Sequence, residues 1–192
     1  MDDVMIDIET LSTHPFNAVV LSIGAVDFQL GAGGKPGEPL IGERFSAILD
    51  IRSQLIAGRV VDRDTQKWWR ERCSSAAQDV WVRPDRMAIT HPMAALRELA
   101  IFLGNVDAKR IWAHGAVFDI GNLESLCREY EVPVPWRYDA IRDCRTIVRE
   151  LPPLLSNQDS GERITHVDVD DCISQIFYLS NHMPTQAAWP AE

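Results

Sequence analysis

From Val4 to Thr10 the chain alternates Val4, Ile6 and Ile8 with Met5, Asp7 and Glu9. That period of two predicts a strand with one face buried. Ala18 to Phe28 is rich in Val, Ile and Leu and predicts a second, buried strand. Gly31-Ala-Gly-Gly-Lys-Pro-Gly37 follows as a hairpin-type loop, and Arg44 to Leu49 as the returning strand. The chain thus opens as an antiparallel meander. Helical spacing comes next. Asp64 or Thr65 can cap a helix running through Trp68 and Trp69, and His91-Pro92 precedes a helix carrying Leu96, Leu99, Phe102 and Leu103 on one face. Lys109 to Ala113 is a short strand. Phe118 to Tyr130 spaces Ile120, Leu123, Leu126 and Tyr130 as a helix face, ended by Pro133 and Pro135. Asp143 to Leu151 suits a further helix, and Pro152 to Glu162 a polar loop. A last helix begins near Asp168, with Ile173, Ile176, Phe177 and Ser180 on one side. Early strands followed by mixed helices and strands predict one α/β domain built on a mixed sheet. It spans residues 1–184, with 185–192 as a flexible tail.

Composition narrows the class. The chain has 192 residues, 46% hydrophobic and 24% charged, with four cysteines and a formal net charge of −9. A chain of this length buries roughly 70% of its unfolded surface and needs no disulfide or metal staple. The balance excludes a disordered chain, a collagen-like chain and a small disulfide scaffold. It also excludes a broad basic face for phosphates. Cys73, Cys127, Cys144 and Cys172 fall in no C-x-x-C spacing and are expected to be reduced thiols. No leader sequence is visible and no run approaches the roughly 18 apolar residues of a membrane span. The cytoplasm is the expected location.

Three acidic segments carry candidate chemistry. Asp7 and Glu9 lie two apart on a strand, so both side chains share a face, opposite Ile6 and Ile8. Adjacent carboxylates repel, and a hard cation between them removes the repulsion. A solvated edge pair is the plain alternative, because Asp-x-Glu arises by chance about once in so acidic a chain. In Trp112-Ala-His-Gly-Ala-Val-Phe-Asp119 a strand leads through small residues to an Asp at a helix start. Alone, that Asp fits a helix N-cap. In Thr165-His-Val-Asp-Val-Asp-Asp171, Asp168 fits a cap, and the macrodipole favours an acidic first turn. Asp171 needs another reason.

Taken in order, these segments resemble the DEDDh family of 3′–5′ exonucleases, which have a ribonuclease H-like fold. Asp7-Ile-Glu-Thr10, Ser22-Ile-Gly-Ala-Val26 and Thr65-x-x-Trp-Trp69 look like one bacterial and phage branch, called exoribonuclease-like or exonuclease VIII-like. So do Ala113-His-Gly-Ala-x-Phe-Asp119, Arg142-Asp-x-Arg-Thr146 and His166-x4-Asp171. The resemblance runs from residue 4 to about 180. It implies a central mixed five-stranded sheet flanked by helices. In one respect the chain departs from the pattern: many members carry an Asn two to four positions before the Phe. Here those positions are His114, Gly115 and Ala116, so His114 is the candidate replacement.

The resemblance implies a mechanism. Phosphodiester hydrolysis needs an activated water, charge relief on the non-bridging oxygens and stabilisation of the leaving 3′ oxygen. Two metal ions about 3.5–4 Å apart supply all three. Oxygen ligands favour Mg²⁺ or Mn²⁺ over zinc. By resemblance Asp7 bridges both ions, Glu9 and Asp171 complete the first site, and Asp119 holds the second through water. His166 is the general base, with an imidazole pKa near neutrality.

The implied partner is the 3′ end of a single-stranded nucleic acid, with RNA slightly favoured over DNA, and the implied product is 5′-mononucleotides. Aromatic faces grip bases without reading sequence. Thr10 and Leu11 follow the first motif, where the family's chain meets the terminal nucleotide. Trp68 and Trp69 are candidate nucleotide contacts. About 100° apart on a helix, they cannot both face the same way, and the plain alternative puts one in the core and one on a partner surface. Phe118 is expected beside the metal site. Arg142 and Arg145 suit phosphate binding, a subunit bridge or plain surface. The resemblance also implies a homodimer. The alternative is a module of the same fold that binds nucleic acid without effective catalysis; a different ribonuclease H-like endonuclease conflicts with His166-x4-Asp171.

The charge takes on a new meaning here. Asp2, Asp3, Asp7 and Glu9 give residues 1–10 a charge of −4. Asp159, Glu162, Asp168, Asp170 and Asp171 against Arg163 give residues 159–171 another −4. The rest of the chain is nearly neutral. Acidity is concentrated in the two segments expected to meet at the metals.

Overall fold

The computed structural model describes residues 1–34, 37–72, 89–150 and 166–183. Six strands form one mixed sheet: β1 (Asp3–Thr10), β2 (Val20–Gln29), β3 (Leu40–Leu49), β4 (Ile89–Thr90), β5 (Arg110–Ala113) and β6 (Ile141–Asp143). Their order is β4-β3-β2-β1-β5-β6. β1, β2 and β3 are the expected antiparallel meander, while β5 joins β1, β6 joins β5 and β4 joins β3 in parallel. The sheet therefore has six strands where five were expected. Four of them follow from the sequence pattern; β4 and β6, of two and three residues, are too short to show a period. Likewise, the first residue of the expected helix at 143–151 ends β6 instead.

Six α-helices accompany the sheet among the described residues: α1 (Ile51–Ile56), α2 (Arg63–Glu71), α3 (Pro92–Asn105), α4 (Ala116–Glu129), α5 (Cys144–Glu150) and α6 (Asp168–His182). α2 is capped by Asp62, not Asp64 or Thr65; the Asp62 carboxylate accepts the Thr65 amide at 3.0 Å. The expected loop at 152–162, the tail from 184 and Cys73 lie outside the described residues. No helix among the described residues is long and apolar enough to cross a membrane.

Both faces of the sheet are covered. Val4, Ile6 and Ile8 pack with Leu96, Leu99 and Leu103 of α3 and with Ile120, Leu123 and Leu126 of α4. Met5, Val26, Phe28 and Trp112 pack on the other face with Cys144 of α5 and Cys172, Ile173, Ile176 and Leu179 of α6. This is why β2 is buried almost along its whole length without alternation: helices cover it from both sides. Cys127, Cys144 and Cys172 are free thiols in this core, as expected of reduced cysteines.

The strand β1 places Asp3, Met5, Asp7 and Glu9 on the α6 side. Asp3 is neutralised there: Arg110 donates to its carboxylate at 2.6 and 2.8 Å, and the Trp112 indole at 2.8 Å. Asp7 and Glu9, further along the same face, receive no such cation among the described residues.

α6 comes close to the sheet because Gly24 has no side chain. A Cβ there would lie 2.6 Å from the backbone carbon of Asp168 and 2.8 Å from the Val169 nitrogen. Gly24 of the Ser22-Ile-Gly-Ala-Val26 motif is thus a packing requirement of the first turn of α6.

Candidate active site

The helix α6 meets β1 in step. Four helical residues rise about 6 Å, and two strand residues advance about 6.6 Å. The result is a matched register: Leu179 joins Met5 in the core, Gln175 meets Asp7, and Asp171 meets Glu9. The Gln175 amide donates to Asp7 Oδ1 at 2.7 Å. Glu9 and Asp171 bring carboxyl oxygens within 4.8 Å of each other. Asp168 is buried at the start of α6, where its carboxylate accepts from Ser46 Oγ at 3.0 Å and from the Val169 amide at 2.8 Å. It does not cap the helix; Val167 occupies that position.

Asp119 comes from the opposite side of β1. It lies in the first turn of α4, not at its N-cap, which is Gly115 with a φ of 144°. That conformation favours glycine, and a Cβ there would lie 2.8 Å from the Arg145 guanidinium. The cap hydrogen bond is supplied from afar. One oxygen of Asp143 accepts the Ala116 amide at 2.9 Å and the other accepts the Thr146 amide at 3.1 Å. Asp143 therefore ties the starts of α4 and α5 together. Arg145 adds a 2.6 Å bond to the His114 carbonyl, and Arg142 one of 2.6 Å to the Asp139 carbonyl. In the Arg142-Asp-x-Arg-Thr146 segment these groups brace the turn that presents Asp119.

His166 has a φ of 65°, an unusual left-handed conformation for a non-glycine residue. Its amide donates to Asp171 Oδ2 at 2.8 Å. Its ring stands edge-on to Trp68 at 4.6 Å and to Trp69 at 6.1 Å. A ring nitrogen and one oxygen each from Glu9 and Asp171 lie within 4.8 Å of one another. Trp69 is buried and its indole donates to the Thr10 carbonyl at 2.9 Å, while Trp68 is half-buried. These groups open onto a cleft of about 710 Å³ lined by Ile8, Glu9, Thr10, Trp68, Phe118 and His166, among others.

The electrostatics are those of crowded anions. Burial, with Asp171 and Asp168 nearby, pushes Glu9 up to about 9. Burial pushes Asp119 up to about 7 although Arg145 opposes it. Asp7 is raised by burial and by Asp119, Glu9 and Asp171, and the Asp171 carboxyl is raised by burial. Among the described residues no Lys or Arg forms an ion pair with any of the four. Four oxygen donors with uncompensated charge fit a hard divalent cation, and the cluster of Glu9, His166 and Asp171 is a place for one.

The structure thus brings Asp7, Glu9, Asp119, Asp171 and His166 together, and sets Thr10, Trp68, Trp69 and Phe118 on the cleft beside them. Leu11 packs beneath the cleft with Leu21, Trp68 and Trp69. His114 does not line the cleft; its charged neighbours are Arg145, Asp143 and Arg149, and burial lowers its pKa. Trp68 and Trp69, expected not to face the same way, both reach the cleft, edge to face at 5.2 Å. Sequence reasoning missed Gln175, Asp143 and Asp62. Four-residue spacing from Asp171 would have suggested Gln175. Thr13 also lines the cleft, and its amide donates to Asp62 at 3.1 Å.

The family model of the 3′–5′ exoribonuclease Rv2179c-like domain matches residues 2–183. The chain belongs to this family. No curated protein matched the Rv2179c-like chain. Among solved structures, it is similar to the zinc-bound E. coli ExoI–ssDNA complex, with a TM-score of 0.56 and 13% identity over 97% of this chain and 41% of that one. E. coli Exonuclease I in complex with a dA16 oligonucleotide gives a TM-score of 0.54 at 11% identity, over 96% and 41%. The Rv2179c-like chain spans about two fifths of the length of these structures. At such identity they share its fold. The family is described as 3′–5′ exoribonuclease-like, and the fold is shared with E. coli ExoI.

Proposed function

We propose that the protein is a metal-dependent 3′–5′ exonuclease that hydrolyses single-stranded nucleic acid to 5′-mononucleotides, with RNA slightly ahead of DNA. One observation carries this reading. Carboxylates from β1, α4 and α6 converge with His166 beside an open cleft walled by aromatic rings. The family's description as exoribonuclease supports RNA, and the single-stranded DNA in the ExoI complexes supports an unpaired strand of either sugar. A homodimer, a cytoplasmic location, two Mg²⁺ or Mn²⁺ ions and a single domain over residues 1–184 belong to the same proposal, from the resemblance.

The residues divide the work. Asp7, Glu9, Asp119 and Asp171 would hold the cations. Bound divalent cations supply charge relief at the phosphate and acidify water. His166 takes the proton of the attacking water, and the edge of Trp68 keeps its ring from turning away. Trp68 and Phe118 offer aromatic surface to the terminal nucleotides, each stacked base contributing about 1–3 kcal/mol. Thr10 and Trp69 fix the floor of the cleft through the indole–carbonyl bond.

End-labelled RNA and DNA oligomers of one sequence, incubated with Mn²⁺ and then with EDTA, test the proposal. A ladder shortening from the 3′ end and stopped by EDTA is expected, faster on RNA. Retention of the strand without shortening would identify a binding module, and internal cuts an endonuclease.

A further inference from the structure

We propose that Gln175 is a positioning residue for cation binding: its side-chain amide holds Asp7 Oδ1 and thereby fixes the orientation of that carboxylate. The inference rests on reading the acidic cluster as a metal centre. It adds a residue that lies outside the carboxylate and histidine set.

The geometry is specific. Gln175 follows Asp171 by four residues, so both side chains descend from the same face of α6 onto β1. Asp171 reaches Glu9, and Gln175 reaches Asp7 at 2.7 Å. The opposite face of Asp7's strand is filled by Ile6 and Ile8, and among the described residues this amide is the side chain that hydrogen-bonds its carboxylate.

The choice of group matters chemically. A Lys or Arg at this point would neutralise Asp7 and compete with a divalent ion. An apolar side chain would leave the carboxylate free to rotate. A neutral amide donates one hydrogen bond, favours the ionised carboxylate, and leaves its charge available. The other end of the amide shows the cost. Gln175 Oε1 is buried and accepts no hydrogen bond among the described residues. A buried carbonyl without a donor is unfavourable, so filling space does not explain an amide here. Donation to Asp7 does. The reverse orientation would set an oxygen against the carboxylate oxygen.

This predicts a graded effect on metals. Mg²⁺ demands near-ideal octahedral geometry and Mn²⁺ tolerates more distortion, so a loosened carboxylate should penalise Mg²⁺ more. Groups that orient metal ligands typically change affinity by about 10–100-fold when removed.

The test uses the full chain with Gln175→Met, which keeps the volume and removes the donor, and Gln175→Asn, whose amide stops one methylene short. Calorimetric titration with Mn²⁺ should show binding about tenfold weaker or worse in both variants. The Mg²⁺ concentration for half-maximal nuclease rate should rise more than the Mn²⁺ concentration does. Melting in EDTA should show Gln175→Met no less stable than the parent, because the orphaned carbonyl is gone. Parental Mn²⁺ affinity in Gln175→Met, with an unchanged ratio of Mg²⁺ to Mn²⁺ requirement, would overturn the role of Gln175 alone. A parent chain that binds no Mn²⁺ would instead overturn the metal reading and this inference with it.

Discussion

Glu9 of β1 and Asp171 of α6 bring carboxyl oxygens within 4.8 Å of each other, and burial raises the pKa of both. A carboxyl pair this close is a poor structural tie and a good receptacle for a cation. It links the stability of the fold to pH and to metal in opposite directions.

The first prediction concerns that linkage. Burial chiefly pushes Glu9 up to about 9 and Asp119 to about 7 in the metal-free chain. Both bind protons more firmly folded than unfolded. Their favourable contribution is complete below pH about 4 and is lost as pH rises through these folded values. The capping carboxylate of Asp62 is lowered to about 2 by the Thr65 amide, and its effect is confined to acid. In EDTA the melting temperature should therefore fall between pH 6 and pH 9, by about 3 °C or more. Added Mn²⁺ at pH 8 should reverse the loss. A flat EDTA profile over that range would show that the cluster is not compressed as described.

The second prediction concerns Asp143. Its two oxygens cap α4 and α5 at once. Asp143→Ala should cost about 1–2 kcal/mol, the usual loss for a helix cap, or about 3–6 °C of melting temperature in a chain this long. Asp119 lies one turn from the freed end, so turnover should fall more than stability alone explains. Thermal melts and turnover measured well below the transition separate the two effects. Unchanged turnover would limit Asp143 to a structural role.

How much of this was legible in the sequence depends on range. The alternation Val4, Ile6, Ile8 against Asp7 and Glu9 is local, and it placed both acids on one face correctly. The buried faces of α3, α4 and α6 followed from helical spacing for the same reason. Asp119 misled as a cap because its local pattern fits one. The capping hydrogen bond comes instead from Asp143, 27 residues from the Ala116 amide it accepts, on a turn that Gly115 makes possible. Gln175 and Asp7 are 168 residues apart, and no local period links them. Gly24 reads as an ordinary strand residue until α6 is seen resting on it. Long-range pairs such as these decide the site's precision, whereas the alternation decides only its location.

The third prediction separates the two tryptophans. Trp69→Phe keeps the packing but leaves the Thr10 carbonyl without its indole partner, so stability should drop by about 1–3 kcal/mol. Trp68→Ala removes a half-buried ring that faces the cleft, so stability should change less. Loss of one stacking surface should raise KM for a single-stranded oligomer by about thirtyfold, near the middle of the range for a stacked base. Steady-state kinetics on an oligomer and thermal melts of both variants check the assignment. Equal KM for Trp68→Ala and the parent would remove Trp68 from the substrate surface.

The last prediction concerns His166, whose ring shares a 4.8 Å neighbourhood with Glu9 and Asp171. Two roles fit that position, proton acceptor and metal ligand, and they differ in what His166→Ala should do. A general base lost from an intact carboxylate set leaves Mn²⁺ affinity nearly unchanged while turnover falls by about 10²–10⁴-fold. A lost ligand weakens Mn²⁺ binding along with turnover. The general-base reading is favoured because four carboxylates already supply oxygen donors for hard cations, for which an imidazole is the poorer ligand. The edge contacts with Trp68 and Trp69 also hold the ring at the wall of the cleft, where substrate water is accessible. Calorimetry with Mn²⁺ beside a nuclease assay should therefore show binding kept and turnover lost. Near-parental turnover would end the general-base role, and a parallel loss of Mn²⁺ affinity would make His166 a ligand.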